Sequence, residues 1–316
     1  MNVNLAGLIL VFAGTASQGL AQWADPSSGI VFDAPTQSIR RIAGFPGAAS
    51  LSKPLVQNLD WAVIAPSGKR GIAETQSGDF VWLEASGDEF SATRVVAPGA
   101  GPFLARWNAA SNAVRIYSAA CSCFFTVTLH SGQPVLTGQT QILDTASGTV
   151  QDFSWKQSIT LVATDAGLYR MGISSSQLLK SADSGVTYLL EESGRVWATR
   201  GATGEILEVV QRRGEYGELR LVTADPAALS DVASIVTSGN SILAADRKTQ
   251  RIRQIGLTSG VVEQSWDLDA VPGRMTSIGA RPVWIVHERS KAQDPMLILD
   301  ASNAPRVYFI PGGGEQ

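Results

Sequence analysis

Seven short apolar runs recur along the chain, and this repeat constrains the fold more than any other feature of the sequence. Each run is rich in β-branched or aromatic residues and follows a turn signal or small polar residues. With one apolar residue of each run as an anchor, successive anchors lie 42, 42, 45, 37, 46 and 41 residues apart. The anchors are Ile30, Ile72, Val114, Ile159, Val196, Ile242 and Val283. A period of this length is typical of repeat folds built from four-stranded units.

The internal order of the unit repeats as well. Residues 234–255 read as strand, turn, strand, turn and strand, and the segments 152–170, 186–209 and 275–299 have the same layout. The chain contains 31 Gly and 14 Pro and no long helical periodicity, which favours short strands joined by tight turns. The sequence therefore predicts an all-β fold, a β-propeller of about seven four-stranded blades, with a two-sheet sandwich of the same strands as the alternative.

The two ends of the chain bear on how such a ring closes. The first unit lacks an inner strand ahead of Ile30, and residues 306–310 read as one last strand before a glycine-rich end. We therefore expect the N- and C-terminal strands to share a blade and close the ring. Six or eight blades are the alternatives, because the count depends on this first unit.

The units resemble the NHL, YVTN and similar degenerate propeller repeats. The resemblance rests on segments such as 241–246 followed by 251–255 and covers residues 28–311. It implies the propeller fold. No blade carries the Gly-His and Trp-Asp dipeptides of one named repeat class, so no specific family is assigned. Proteins with this fold include scaffolds, lectins, lactonases and lyases, and the resemblance does not choose among these functions.

The first 21 residues read as a secretory signal. They carry no charge, are apolar from Leu5 to Ala13 and end in small residues at Ala21. The predicted division is a signal peptide over 1–21, a single propeller over 22–311 and a flexible tail over 312–316. The start lacks a Lys or Arg, which leaves open an atypical signal or a start site placed too far downstream. We expect a secreted or periplasmic protein with no membrane span, because the apolar stretch is too short to cross a bilayer.

Charge and cysteine content limit the partners. The 25 basic and 28 acidic residues are scattered and give a net charge of −3, so no basic tract exists for nucleic acid. We expect a monomer. The only cysteines, Cys121 and Cys123, could form a disulfide in an exported chain or remain thiols. His130 and His287 are the only histidines, which makes a zinc site with these cysteines a poor hypothesis. No cofactor is predicted, although a divalent cation such as calcium fits an acidic site.

The strand path places two sets of loops on one side of the ring, called the top face here. One set enters the inner strands and the other joins the second and third strands of each blade, so both are candidates for binding. The candidate ligand-binding residues are Asp60, Asp152, Asp231, Arg200, Arg247 and His287. Several carboxylates at the channel mouth could hold a cation or a sugar hydroxyl, whereas the alternative is that each Asp only caps a turn. Three further aspartates, Asp33, Asp165 and Asp246, are interpreted as hairpin-turn residues.

No catalytic residues are predicted. The sequence has no G-x-S-x-G, no H-E-x-x-H, no Walker loop and no dinucleotide-binding G-x-G-x-x-G. The predicted function is therefore non-enzymatic binding of a partner protein, peptide or glycan through the top-face loops. The alternative is a propeller-type hydrolase or lyase, similar to lactonases or glycosidases, with a divalent cation or carboxylates at the channel mouth. Three or more converging carboxylates would favour the enzyme.

Overall fold

The computed structural model describes residues 27–44, 48–87, 89–96, 99, 101–141, 148–156, 159–171, 176–181, 188–192, 194–200, 203–212, 215–225, 227–279 and 282–312. Strands dominate these residues, and one 3-10 turn at Ala34–Thr36 interrupts them. The proposed signal peptide and residues 313–316 of the proposed tail lie outside them. No helix in this part of the chain is long and apolar enough to cross a membrane.

The strands form seven antiparallel sheets, each made from consecutive segments of the chain. The first blade contains β1 Ser27–Asp33, β2 Ser38–Ala43 and β3 Ser50–Leu51. The second contains β4 Leu59–Ile64, β5 Arg70–Thr75, β6 Phe80–Ser86 and β7 Glu89–Val95. The third contains β8 Phe103–Trp107, β9 Ala113–Ser118, β10 Cys123–His130 and β11 Gln133–Gln141.

The remaining four blades have four strands each. The fourth contains β12 Val150–Lys156, β13 Ile159–Thr164, β14 Gly167–Met171 and β15 Ser176–Ser181. The fifth contains β16 Tyr188–Glu192, β17 Arg195–Arg200, β18 Glu205–Arg212 and β19 Glu215–Ala224. The sixth contains β20 Val232–Ser238, β21 Ser241–Asp246, β22 Arg251–Gly256 and β23 Val262–Asp267. The seventh contains β24 Thr276–Ser277, β25 Val283–His287, β26 Met296–Asp300 and β27 Arg306–Ile310.

Seven blades confirm the predicted β-propeller. Burial decreases from the second strand of a blade to its last: β21 is buried at every residue, whereas β7 is exposed over most of its length. The first strands of neighbouring blades lie beside one another around the axis, as β12 does beside β16. Apolar residues fill the space between neighbouring sheets. Between the second and third blades, for example, Phe80 meets Phe103 and Phe125 with ring centroids 5.2 and 5.9 Å apart.

The ring closes between the N- and C-terminal strands, as predicted, although the described strands of the two ends do not share one sheet. Strands β1–β3 form a sheet of their own and β24–β27 form another. Ile30 lies in β1, the first described strand of its blade, and the other six anchors lie in second strands. The hairpin after β1 lies on the top face, because Gln37 contacts Asp60 at the start of β4 and Asp33 contacts Arg289 in the loop between β25 and β26. β1 therefore occupies the position of a second strand, and the described part of the first blade has no inner strand, as the sequence predicts.

Side chains join the first blade to the seventh. Val31, Ile42 and Ala49 pack against residues of the last sheet in one buried cluster. Beside this cluster, Arg289 forms a buried ion pair with Asp33, and both side chains are 1% exposed. Arg289 Nε donates to Asp33 Oδ1 at 3.0 Å, and Arg289 Nη2 contacts Asp33 Oδ2. Asp33 is thus a ring-closing residue as well as the residue at the end of a strand.

Candidate functional site

The top face is held together by hydrogen bonds between its two sets of loops. The carboxylate of Asp165, after β13, accepts a hydrogen bond of 2.7 Å from the N–H of Thr149, just before β12. Asp246 does the same in the sixth blade, where it accepts from the N–H groups of Ser230 at 2.5 Å and Asp231 at 3.2 Å. It also accepts from Thr249 N–H at 2.8 Å in its own hairpin. These contacts fit the interpretation of Asp165 and Asp246 as turn residues and fix the loops that enter the inner strands.

The electrostatics of Asp246 follow from these donors. Burial acts to raise its pKa, but the N–H groups of Thr249, Asp231 and Ser230 outweigh burial, and the pKa of Asp246 lies below its usual value. The carboxylate is therefore a charged structural group, and its hydrogen bonds leave it little capacity for a ligand.

Asp231 and Arg247 form an exposed ion pair at the edge of the sixth blade. Arg247 donates through Nε to Asp231 Oδ2 at 3.0 Å and through Nη2 to Oδ1 at 2.9 Å. Their side chains are 37% and 44% exposed, so both remain accessible to a partner. The hydrogen bond that Arg247 donates to Asp231 raises the pKa of Arg247 above its usual value. The structure thus brings together two of the residues chosen from sequence.

Asp60 lies on the exposed side of the second blade, where the register shifts between Leu59 and Trp61. Gln37 Nε2 donates to Asp60 Oδ1 at 3.4 Å, which links the first two blades. Burial, together with the negative charge of Asp60, raises the pKa of Glu74 on the neighbouring strand β5. Asp60 and Glu74 are therefore two carboxylates that influence each other at the top face.

Arg200 and His287 are each engaged within their own blade. Arg200 Nη1 donates to Glu205 Oε2 at 2.5 Å across the hairpin between β17 and β18. His287 Nδ1 donates to the carbonyl oxygen of Val271 at 2.8 Å in the loop before the last inner strand. Both therefore support loop conformation.

Asp152 has a different environment from the other candidates, because it is 1% exposed and lies against the inner strands of other blades. Arg106 Nη2, from β8, donates to both carboxylate oxygens at 2.7 Å. Arg274, just before β24, donates through Nη2 to Oδ1 at 2.7 Å. The N–H groups of Phe153 and Leu189 add hydrogen bonds of 2.8 and 2.9 Å. Four of the seven blades therefore meet at this carboxylate.

Tyr188 completes this arrangement. Its buried ring lies 5.6 Å from the guanidinium carbon of Arg106 and 5.1 Å from that of Arg274, within cation–π distance of both. We call Arg106, Asp152, Tyr188 and Arg274 the channel cluster, because all four lie on or next to inner strands and the contacts connect blades that are not neighbours. Burial acts to raise the pKa of Asp152, while Arg106 and the two N–H groups act to lower it.

Sequence reasoning missed Arg106, Arg274 and Tyr188. One signal was available for Arg106: a charged residue between Ala105 and Trp107 is unusual in a strand that is otherwise apolar. No local signal identifies Arg274, which follows Gly273 in a loop.

Asp60, Asp152 and Asp231, which the sequence suggested could hold a cation or a sugar hydroxyl, have separate partners. Asp152 is surrounded by guanidinium and N–H donors, Asp231 pairs with Arg247, and Asp60 contacts Gln37. Across the described ranges, no group of three or more His, Cys, Asp and Glu side chains is arranged to hold a metal ion.

Cys121 and Cys123 form a disulfide at the hairpin between β9 and β10, on the top face of the third blade. Their Cα atoms are 5.1 Å apart. The intervening Ser122 has a φ of 47°, and this bend brings the two side chains to the same side of the chain. Of the two redox states left open by the sequence, the structure has the disulfide.

No protein-family model and no curated protein matches this chain. Similar solved structures exist. A protein from Lactobacillus plantarum has a TM-score of 0.65 at 14% identity, with 90% of this chain and 96% of that chain covered. A candidate 6-phosphogluconolactonase from Bacteroides fragilis has a TM-score of 0.60 at 12% identity, covering 90% and 95%. A β-propeller domain from Myceliophteria thermophila has a TM-score of 0.56 at 11% identity, covering 91% and 98%. These similarities show the propeller fold alone.

Proposed function

We propose that this chain is an exported, non-enzymatic binding protein that recognises a partner protein, peptide or glycan through its top face. The observation that carries the proposal is the chemistry of that face. It presents one exposed single charge, Asp60, and one exposed ion pair, Asp231–Arg247, on loops held by hydrogen bonds. Such rigidly supported polar groups suit recognition of another surface.

Export is proposed on two grounds. The first 21 residues have the composition of a secretory signal. The disulfide between Cys121 and Cys123 is of a kind that persists in oxidising compartments. Expression of the full chain with a C-terminal tag, followed by fractionation and mass spectrometry, tests this. The proposal expects a mature N-terminus at Gln22 outside the cytoplasm, and an uncleaved cytoplasmic chain would contradict it.

The binding proposal is tested by screening the mature protein on glycan and peptide arrays and against purified candidate partner proteins. A bound ligand is then titrated against the double variant Asp60→Arg/Arg247→Glu, which reverses charge on the top face. Lys69→Glu is the matched control, because Lys69 is exposed in the hairpin between the first two strands of its blade, on the opposite face. The proposal expects the double variant to weaken binding at least about tenfold. If Lys69→Glu weakened binding as much as the double variant, the top face would not be the binding site.

A propeller-type hydrolase is the second candidate. The observation in its favour is the carboxylate pair of Asp60 and Glu74, in which burial and the charge of Asp60 raise the pKa of Glu74, as a general acid requires. Assays with δ-lactones and aryl glycosides, with and without calcium and chelator, separate the two functions. Turnover that is lost in both Asp60→Asn and Glu74→Gln would establish the enzyme in place of the binding protein.

A further inference from the structure

The channel cluster carries more positive charge than its carboxylate neutralises. Two guanidinium groups, of Arg106 and Arg274, share the single carboxylate of Asp152. No other carboxylate among the described residues forms an ion pair with either arginine. A net positive charge therefore remains near the axis of the ring.

Both arginines retain hydrogen-bond donors for a ligand. Nη1 of Arg106, and Nε and Nη1 of Arg274, have no acceptor among the residues that the structure describes. Their side chains are 26% and 33% exposed, so these donors reach solvent inside the channel. Free donors on paired guanidinium groups are suited to the oxygens of a carboxylate or phosphate.

The surrounding contacts hold both arginines in place before any ligand arrives. Arg106 Nε donates to the carbonyl oxygen of Phe153 at 3.1 Å. On either side of Arg274, Ser234 Oγ donates to Gly273 O at 3.2 Å and accepts from Met275 N–H at 2.8 Å. Tyr188 supports both guanidinium groups with the face of its ring. A site held in this way loses little conformational entropy on binding.

We propose that the channel cluster is a binding site for a small oxyanion, in which Arg106 and Arg274 donate hydrogen bonds to a carboxylate or phosphate group. Asp152 positions the two guanidinium groups and does not contact the ligand. The site is separate from the exposed charges of the top face, so it stands whether or not the top face binds a partner.

Isothermal titration calorimetry tests the proposal with two probes, inorganic phosphate and D-gluconate, at constant ionic strength with chloride as the reference anion. The proposal expects saturable binding of at least one probe, and the Arg274→Gln variant is expected to weaken it about tenfold or more. This variant leaves Asp152 paired with Arg106 and the two N–H groups, so the fold is expected to survive. Circular dichroism and the thermal midpoint without ligand check this.

Arg94→Gln is the matched control. Arg94 forms an exposed ion pair with Asp79 on the outer strand of the second blade, with 77% of its side chain exposed, and its loss is expected to leave probe binding unchanged. Binding of phosphate alone would assign a phosphorylated ligand, and binding of gluconate alone would assign a carboxylate. The absence of binding by either probe, or equal affinities in wild type and Arg274→Gln, would overturn the proposal.

Discussion

The aspartates of this propeller differ by the donors that surround them. Asp246 is surrounded by N–H groups, Asp152 by guanidinium groups, and Asp231 by a single exposed arginine. The same side chain therefore serves as a turn residue, a charge partner across the channel or a surface group. Sequence placed all three on the top face but could not distinguish these roles, because the donors of Asp152 come from blades far away in the chain.

Asp246→Asn is expected to lower the free energy of unfolding by about 1–3 kcal/mol at pH 7, because the amide cannot accept from all three N–H donors. The pKa of Asp246 is lowered in the folded state, so its contribution is fully present above the unfolded value of about 3.9 and is lost as pH falls through the folded pKa. Urea titrations between pH 7 and pH 3 should show the difference between wild type and variant shrinking in acid.

Asp269→Asn is the control for this titration, since Asp269 is an exposed loop residue after β23. Its unfolding free energy should match that of the wild type at pH 7. A difference for Asp246→Asn that stays constant down to pH 3 would contradict the assigned role of the carboxylate.

At the scale of elements, the stability of the molecule comes from sheets packed face to face. Phe80, Phe103 and Phe125 form one such contact, and their relative exposures are 4%, 6% and 1%. Aromatic rings in this geometry contribute both buried area and edge-to-face attraction.

Phe80→Ala is expected to lower the unfolding free energy by about 3–5 kcal/mol, because it leaves a cavity between two blades. Phe309→Ala is the matched control: Phe309 is 63% exposed on the outermost strand of the seventh blade, and its loss should cost less than about 0.5 kcal/mol. Chemical denaturation of both variants measures the difference. Similar costs for the two would show that the contact between blades is not the source of stability.

Much of the arrangement of strands within the blades was predictable from sequence. Six of the seven anchors lie in second strands because the local alternation of apolar and small residues encodes them directly. Ile30 lies in β1, and the hairpin that follows β1 lies on the top face, as the hairpins after the second strands of the other blades do. The channel cluster was not predictable, since its contacts depend on ring closure.

At the scale of the whole molecule, the junction between the first and seventh blades differs from the other six, because no described segment of the chain crosses it. It depends on the apolar cluster around Ile42 and on the buried pair of Asp33 and Arg289. Arg40 and Thr36 also contact the Asp33 carboxylate.

Arg289→Met is expected to destabilise the protein by about 3–5 kcal/mol, because it leaves a buried carboxylate without its main partner. The double variant Asp33→Asn/Arg289→Met should recover part of this loss. Arg251→Met provides the control: its ion pair with Asp267 is 42% and 80% exposed, and its loss should cost less than about 1 kcal/mol. Denaturation curves of the three variants measure these free energies of unfolding. If the double variant were no more stable than Arg289→Met, the loss in Arg289→Met would not come from the unpaired carboxylate of Asp33.

The same junction determines how the molecule responds to mechanical load. A pulling force applied through the two ends of the propeller acts across the boundary between the first and seventh blades, where the contacts among the described residues are made by side chains. Within each blade, the load would instead have to break a ladder of backbone hydrogen bonds. The ring should therefore open at Asp33 and Arg289 before any single sheet unravels, and the blades should then extend from the two ends inward.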